Sequence, residues 1–338
     1  MKTNIFLIHT YYHLYLSINL IFDRYKDYNN VIYYTKNHRA SRDFSNELPF
    51  LEFKYFEKGK FGTKSFLNSL LNYKAERFFF FQENCSESIY LVHKLSKKGV
   101  IISLLQDGSK PYHTYKKKRL LYCVLRDTIN DYKQMINRRA VVTTVFFHNN
   151  YKYAFLKPIK EVWLSYPERF VNRTRKLIIK MPEFSSESIK YLASLFQFDM
   201  ERMNSECIFY LGENLKKEYV QIENKIVEFI INRYSGVKIF YKMHPNQMKN
   251  SPETVNWLRN VKNVEIIADD IPAELYILSM RKGLIISRSS TTMLTNNPRC
   301  KYYYTHKLYS GGRLFSQIEM GNPTDYIKEI DNLEEIVM

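Results

Sequence analysis

The sequence contains little cysteine, and this shortage excludes several classes of protein. Only 4 Cys occur among 338 residues. They form no CxxC pair and have no histidine at metal-ligand spacing; they are Cys85, Cys123, Cys207 and Cys300. A disulfide-stapled fold and a structural zinc site are therefore excluded, and we expect buried, reduced thiols in a cytosolic protein.

Long apolar runs are also missing. No run reaches the roughly 18 to 20 residues that a membrane span requires. The first nine residues have too short an apolar core for a signal peptide and no small-residue cleavage site. We therefore expect no membrane-spanning helix and a cytosolic location.

Acidic residues are scarce relative to basic ones. The chain has 34 Asp and Glu against 51 Lys and Arg, which gives a formal net charge of +17. Such a surface attracts nucleic acid, anionic membrane or acidic substrates. The basic runs lie in the first half, at 116–119, 138–139 and 173–176, and we expect them to form one basic surface. No RRM, KH, zinc or helix-turn-helix signature accompanies them, so we expect no nucleic-acid partner.

Alternating strand and helix patterns predict an α/β fold in two domains. The first half predicts strands at 5–8, 31–34, 78–81 and 100–105 and helices at 11–25 and 86–97. The second half predicts strands at 208–211, 237–243, 264–267 and 284–286 and helices at 222–231 and 272–280. The stretch 172–206 lacks this rhythm, so we place the junction there, between an N-terminal domain (1–180) and a C-terminal domain (200–338).

This pattern predicts two doubly wound, Rossmann-like domains facing each other across a cleft. The arrangement is called GT-B and is used by many nucleotide-sugar glycosyltransferases. Fold alone does not give function, so the candidate sites must carry the functional argument.

A histidine follows one of the predicted strands, in the segment Lys242, Met243, His244 and Pro245. Open α/β sheets bind ligands at the carboxyl ends of their strands. The imidazole of His244 can hydrogen-bond a phosphate and protonate it as it leaves. Pro245 ends the strand sharply. The alternative is a histidine that simply terminates a strand.

A hydroxyl cluster follows the strand predicted at 284–286. Ser289, Ser290 and Thr291 precede an apolar pair and are therefore expected at a helix amino terminus. Backbone N–H groups and the helix dipole favour an anion there. The alternative is ordinary N-capping by Ser and Thr.

Two carboxylates complete the set of candidates. Glu274 falls in the first helical turn after Pro272, at the mouth of the expected cleft, where it could accept the hydroxyls of a ribose. Asp107 follows the strand predicted at 100–105 and could take a proton from an attacking hydroxyl. The alternatives are an acid stabilised by the helix dipole and an Asp-Gly turn.

In this order, the Asp-Gly, His-Pro, Pro-x-Glu and Ser-Ser-Thr elements resemble those of the bacterial sialyltransferases. The chain is most similar to glycosyltransferase family 52, the lipooligosaccharide and capsule sialyltransferases. It is also related to the polysialyltransferases of family 38 and the marine-type enzymes of family 80. The segments 8–14 and 271–275 resemble the sequences of family 52 in their residue pattern.

The resemblance implies an inverting, metal-independent transfer of sialic acid from CMP-sialic acid to a sugar hydroxyl of a bacterial surface glycan. It implies that Asp107 is the general base and that His244 stabilises or protonates the departing phosphate. It implies that the N-terminal domain (1–180) is the acceptor side and that the C-terminal domain (200–338) binds CMP. No cofactor and no metal are implied. The implied donor-binding residues are Lys242, His244, Pro245, Glu274, Ser289, Ser290 and Thr291.

The chain departs from the family pattern at one position. The family usually has an acid before the Asp-Gly aspartate, and Gln106 stands there in this chain. If that acid were the base, Asp107 would lose its role. Glu213 and Glu218, which follow the strand predicted at 208–211, remain rival bases.

The expected partners follow from this reading. They are the CMP-sialic acid donor, a glycan acceptor on lipid or polysaccharide, and the anionic inner face of the bacterial cytoplasmic membrane, which the chain would contact peripherally. A homodimer is left open. The alternatives are another GT-B or CDP-glycerol-type polymer transferase, a basic nucleic-acid-binding protein, and a non-catalytic capsule-assembly protein.

Overall fold

The computed structural model describes residues 1–36, 42–44, 48–57, 64–83, 86–115, 153–172, 174–215, 217–309, 318–319 and 322–338. These residues form two compact units. The first contains Met1–Leu192 and a short segment that includes Ile318 and Glu319, and the second contains the rest, from Ala193 onward. Nothing in the sequence pattern indicated that residues near 318 belong with the first unit.

The first unit is built on a seven-stranded parallel sheet with the order β3-β2-β1-β4-β5-β7-β8. A separate antiparallel pair joins β6 to β14. The strands are β1 (Thr3–Ile8), β2 (Asn29–Lys36), β3 (Leu51–Glu57), β4 (Ala75–Phe80), β5 (Ile101–Leu105), β6 (Thr114–Tyr115), β7 (Glu161–Leu164), β8 (Leu177–Lys180) and β14 (Ile318–Glu319). The helices are α1 (Tyr11–Arg24), α2 (Lys64–Leu71), α3 (Ser86–Lys97) and α4 (Ser186–Phe196), the last four residues of which belong to the second unit.

The central strands of this sheet are apolar on both faces because helices cover both sides of a parallel sheet. Ile5 and Leu7 of β1 and Phe78 and Phe80 of β4 are fully buried in one core cluster. On the other face, Phe6 stacks on Phe79 with ring centroids 4.4 Å apart. The centre of the sheet is therefore a rigid base for the loops at its edge.

The second unit contains a six-stranded parallel sheet with the order β11-β10-β9-β12-β13-β15. Its strands are β9 (Glu206–Leu211), β10 (Lys238–Lys242), β11 (Val264–Ile267), β12 (Lys282–Ser287), β13 (Cys300–Tyr304) and β15 (Ile327–Glu329). Its helices are α5 (Lys217–Arg233), α6 (Gln247–Asn250), α7 (Pro252–Arg259) and α8 (Ala273–Ser279). Ile208, Ile239, Leu284 and Ile286 form the centre of its core.

In each sheet the strand order reverses once, beside the first strand of the unit. The reversal lies between β1 and β4 in the first sheet and between β9 and β12 in the second. Ligands of doubly wound sheets bind outside the carboxyl ends of the strands at such a point. The segments that follow β9, β10 and β12 are therefore the first place to look for a site in the second unit.

The stretch 172–206 is more regular than its sequence suggests. It contains β8, α4 and a 3-10 turn at Met200–Met203. The short strand β8 was missed because its apolar run is only three residues long, from Leu177 to Ile179, and lies between Lys176 and Lys180. This suits a strand at the sheet edge, where its residues are partly or largely exposed. The expected assignment of 1–180 to the acceptor and 200–338 to CMP stays a prediction.

Two further expectations change in part. Cys207 is buried and Cys300 is only partly buried, and both are free thiols. Cys85 and Cys123 lie outside the described residues.

One of the three basic runs, 173–176, lies partly in the described chain. The Nζ of Lys176 donates to the backbone carbonyls of Ala154 at 2.5 Å and Leu156 at 2.6 Å. Lys176 therefore stabilises a loop rather than extending a basic surface. The runs 116–119 and 138–139 lie outside the described residues.

No helix in the described part of the chain is long and apolar enough to cross a membrane.

Candidate active site

Asp107 lies directly after β5, at the carboxyl edge of the first sheet. Its Oδ1 is 3.2 Å from Nε2 of His13, and its other carboxylate oxygen, Oδ2, contacts the ammonium group of Lys110. Burial alone would raise the pKa of Asp107, but the hydrogen bond from His13 and the charge of Lys110 hold that pKa well below its ordinary value. The carboxylate is therefore ionised at neutral pH, as a proton acceptor must be.

Gln106 has the position at which the family usually has an acid, and its side chain is fully buried. Its Oε1 accepts hydrogen bonds from the Tyr112 hydroxyl at 2.5 Å and the Ser165 N–H at 2.8 Å. Its Nε2 donates to the Tyr12 hydroxyl at 3.2 Å. A side chain so enclosed holds loops together and does not face a substrate.

The hydroxyl cluster, which we define as Ser287, Ser289, Ser290, Thr291 and Thr292, follows β12. Its first two serines already bind a carboxylate. The N–H of Ser289 donates to Oε1 of Glu213 at 2.6 Å, and the hydroxyls of Ser287 and Ser289 lie 3.2 Å from the same oxygen. Part of the expected phosphate cradle is thus occupied by the chain's own anion.

The end of the cluster differs from the expected helix start. Residues Thr291–Leu294 form a single 3-10 turn, and the Ser290 hydroxyl caps it by accepting from the Thr292 N–H at 3.3 Å. A turn of four residues has no helix dipole of useful size, so that part of the expectation is wrong. Ser290 and Thr291 are partly exposed, and the Thr291 hydroxyl makes no hydrogen bond to another described residue.

Arg288 is a member of this site that sequence reasoning missed. Its buried guanidinium lies between the rings of Tyr219 and Tyr309, with centroid distances of 5.3 and 4.9 Å. Its NH1 is 3.8 Å from Oε2 of Glu213. Burial raises the pKa of Glu213, and Arg288 and the serine donors lower it only in part. The sequence signal for this residue was an arginine set between Ser287 and Ser289, directly after a predicted strand.

The His-Pro segment forms a turn between β10 and α6. The His244 carbonyl accepts from the Gln247 N–H at 2.8 Å, and Nδ1 of His244 accepts from the Asn246 N–H at 3.1 Å. Because Nδ1 is the acceptor, the proton of the neutral ring lies on Nε2. This tautomer is the one that donates a hydrogen bond through Nε2.

A buried chain of side chains holds this turn in place. The amide of Gln247 accepts from the His244 N–H at 3.2 Å and donates to the Tyr241 hydroxyl at 2.5 Å, which in turn donates to Glu223 at 2.9 Å. Gly212 passes so close that an added Cβ would lie 2.6 Å from the Gln247 amide oxygen. A larger residue beside Glu213 would therefore displace the Gln247 and Tyr241 side chains that hold the turn.

Glu274 is buried, with 4% of its surface exposed. Its Oε1 accepts from the Thr292 hydroxyl at 3.0 Å, which ties the first turn of α8 to the hydroxyl cluster. Burial raises its pKa, and its own backbone N–H and the Thr292 hydroxyl offset only part of that increase. Glu274 is thus near the cluster but already has a partner.

Lys242 differs more strongly from the expectation. Its Nζ binds the Asp269 carboxylate at 2.6 Å and the Asp269 carbonyl at 2.7 Å, and it lies over the Tyr276 ring at 5.2 Å. Burial lowers its pKa despite the aspartate. Its charge is neutralised within the unit, so Lys242 is a poor candidate for a hydrogen-bond donor to the phosphate of the sugar nucleotide.

The structure therefore gathers some predicted residues and separates others. Ser289, Ser290, Thr291 and the His244 turn follow β12 and β10, the two strands on either side of β9. Asp107 belongs to the first unit. Glu218 lies exposed in the first turn of α5. Among the described residues, no three His, Cys, Asp or Glu side chains come together as a metal site would require.

The sequence model of one protein family, alpha-2,8-polysialyltransferase, matches residues 4–302. The chain belongs to this family. The predicted bacterial sialyltransferase is thereby confirmed, while the assignment to glycosyltransferase family 52 stays a prediction. No curated protein matches this polysialyltransferase-family chain in sequence.

Solved structures similar to this family member show its fold. The GT-B domain of a Photobacterium damselae sialyltransferase is 12% identical, with a TM-score of 0.50, and the match covers 90% of this chain and 91% of that one. A Photobacterium 2,6-sialyltransferase, solved with the donor product CMP and the acceptor substrate lactose, is 13% identical, with a TM-score of 0.54 and coverage of 90% and 71%. UDP-GlcNAc 2-epimerase from Neisseria meningitidis, bound to UDP-GlcNAc, is 11% identical, with a TM-score of 0.50 and coverage of 87% and 79%.

These findings confirm an α/β, GT-B-like fold and a glycosyltransferase of the sialyltransferase kind.

Proposed function

We propose that the chain catalyses an inverting, metal-independent transfer of sialic acid from CMP-sialic acid to a terminal sugar hydroxyl of a bacterial surface glycan, either lipooligosaccharide or capsule. The observation that carries this proposal is the position of the hydroxyl cluster and the His244 turn. They follow β12 and β10, on either side of β9, at the carboxyl edge of a doubly wound sheet where such folds bind nucleotides.

The donor phosphate would be bound by partly exposed hydroxyls and by an imidazole. Ser290 and Thr291 offer hydroxyl donors, and Ser289 joins them when its contact with Glu213 opens. His244, with its proton on Nε2, would donate to the phosphate oxygen that carries charge as the bond to sialic acid breaks. Glu274 would accept from the ribose if it exchanged Thr292 for that ligand.

Asp107 would accept the proton of the attacking hydroxyl. Its carboxylate is ionised, and it follows β5 at the carboxyl edge of the first sheet. Glu213 is a weaker candidate for the general base because it already accepts hydrogen bonds from serines of the hydroxyl cluster. In an inverting displacement the base acts on the side opposite the leaving group. The exposed Glu218 has no contact with the cluster among the described hydrogen bonds.

The donor assignment is tested by comparing substrates. Purified chain should transfer sialic acid from CMP-sialic acid, and neither CDP-glycerol nor a UDP-sugar should serve as donor. Transfer from either of these and none from CMP-sialic acid would contradict the proposal. The family membership makes an acceptor that already ends in sialic acid the first one to test, and the product length shows whether one residue or many are added.

Binding gives a second test that does not depend on the acceptor. Calorimetry should show that CMP binds, and His244→Ala should weaken that binding about tenfold, as the loss of one hydrogen bond to a charged group predicts. A variant that binds CMP as tightly as the unchanged chain would remove His244 from the site. CDP, measured in parallel, shows whether a second phosphate is tolerated.

We also propose peripheral attachment to the inner face of the bacterial cytoplasmic membrane. The net charge of +17 supports it, because each Lys or Arg near an anionic surface contributes about 1 kcal/mol. A high-salt wash should release the protein. Recovery only in fractions that resist high salt would contradict this location.

A further inference from the structure

The strongest unassigned feature is the contact between His13 and Asp107. His13 lies in the first turn of α1, where its backbone N–H donates to the Thr10 hydroxyl that caps the helix, at 3.2 Å. Its side chain is only 1% exposed. Its ring stacks on Phe81, with centroids 4.1 Å apart and an interplanar angle of 5°. The cap and the stack together fix the position of the imidazole.

The backbone of His9 decides which ring nitrogen of His13 carries the proton. The N–H of His9 donates to Nδ1 of His13 at 3.1 Å, so Nδ1 has no proton. Nε2 therefore carries it and donates to Oδ1 of Asp107 at 3.2 Å.

The two oxygens of Asp107 have different kinds of partner. Oδ1 faces the buried, fixed His13, while Oδ2 faces Lys110, whose side chain is 48% exposed. The backbone N–H of Asp107 donates to the Tyr153 hydroxyl at 3.2 Å. A solvated lysine can leave its partner as substrate arrives, and the buried histidine cannot.

We propose that His13 is a positioning residue that orients the Asp107 carboxylate and keeps it ionised for the transfer reaction. This inference rests on the proposed function. As the acceptor oxygen bonds to the anomeric carbon, its proton passes to Oδ2 of Asp107. The bond from that carbon to the phosphate oxygen breaks, and its electron pair stays on CMP. His13 donates to Oδ1 throughout and gains no proton.

Three variants separate positioning from a merely structural role. His13→Phe keeps a ring to stack on Phe81 but removes the donor, whereas His13→Gln keeps an N–H at similar reach. His93→Gln, on the exposed face of α3, is the matched control. We expect His13→Phe to lower kcat about 10- to 100-fold, as the loss of one hydrogen bond to a charged group predicts, with little change in KM. His13→Gln should recover most of the loss, and His93→Gln should change nothing.

The pH profile provides a readout that a structural role would not change. The groups that face Asp107 are His13 and His9 from the β1–α1 segment, Lys110, and the Tyr153 hydroxyl. The base works when ionised, so activity falls as pH drops through its pKa. Burial raises the pKa of Asp107, and His13 offsets that increase. Without His13 the pKa of Asp107 should therefore rise. The acid limb of kcat/KM should then move to higher pH.

Nuclear magnetic resonance of the full chain decides the pairing without any assay. The ring nitrogens of His13 should show a proton on Nε2, and the Asp107 carboxyl should titrate at higher pH in His13→Phe than in the unchanged chain. A proton on Nδ1, or an unchanged titration of Asp107, would overturn the inference. A chain that pairs these residues as described but transfers nothing from CMP-sialic acid would instead refute the proposed function.

Discussion

The backbone N–H of Ser289 donates a hydrogen bond of 2.6 Å to Oε1 of Glu213. Ser289 is a residue that the resemblance assigns to the donor phosphate, and Glu213 is a carboxylate with 19% of its side chain exposed. A phosphate that binds this N–H must therefore replace a negatively charged group. Until that exchange occurs Glu213 repels anions from the cluster, and the affinity for the nucleotide that we propose to bind there would depend on Glu213.

Glu213→Gln should tighten CMP binding. The amide keeps the shape and an acceptor oxygen for Ser289 but removes a charge that repels phosphate. We expect an increase in affinity of about tenfold, which corresponds to about 1.4 kcal/mol. This is modest for the repulsion between a carboxylate and a phosphate that compete for one N–H group. Calorimetry measures it, with Glu228→Gln, an exposed position on α5, as the matched control. Weaker binding in Glu213→Gln would show that the carboxylate itself holds the ligand.

Asp107→Asn should lower turnover by about 10² to 10⁴ fold, the range of a lost general base. Because Gln106 is enclosed by Tyr112, Ser165 and Tyr12, a carboxylate there cannot reach a substrate. Adding Gln106→Glu to Asp107→Asn should therefore restore nothing. Initial rates of both variants provide the comparison. Recovered activity in the double variant would assign the base to position 106.

Gly283→Ala should destabilise the second unit. Gly283 has φ +149°, and an added Cβ would lie 1.8 Å from the carbonyl oxygen of Cys207 on the neighbouring strand. Backbone strain and the displaced strand predict a loss of about 2–4 kcal/mol in the free energy of unfolding. Urea unfolding measures it. Gly236→Ala, where no atom lies within 4 Å of the added Cβ, should stay within about 0.5 kcal/mol of the unchanged chain.

Glu223 should make the folded chain less stable as pH rises. Burial raises its pKa from 4.5 to about 8, so between these values the folded state keeps a proton that the unfolded state has lost. Stability is fully present below pH 4.5 and falls up to about pH 8, by at most about 1.4 kcal/mol per pH unit. Glu223→Gln still accepts from Tyr241 and should flatten this slope. Urea unfolding at pH 5 and pH 8 tests it, and equal slopes for both proteins would contradict it.

Much of the fold follows from local patterns in the sequence. Largely apolar segments such as 101–105 and 208–211 form interior parallel strands because both faces of such strands are buried. The helix Ser86–Lys97 has its predicted bounds, since its start and its apolar spacing are both local signals. The edge strands β8 and β15 were missed because their apolar runs are too short, with three residues in β8 and one in β15.

The sequence predicts which segments form the candidate site, but it does not predict which side chains contact each other there. The ends of β5, β10 and β12 were identified because parallel strands place their carboxyl ends on one edge. The partners could not be predicted, since they come from distant positions: His13 is 94 residues from Asp107 and Glu213 is 76 residues from Ser289. Only the folded sheets bring these pairs into contact.

The direction of the strands also has a practical consequence. Gly236 precedes β10 and so lies at the edge of the second sheet opposite the hydroxyl cluster and His244, with open space around it. A tether attached at this position would immobilise the chain on a bead by the edge of that sheet opposite to the hydroxyl cluster and His244. Such a preparation could be washed and reused for glycan synthesis.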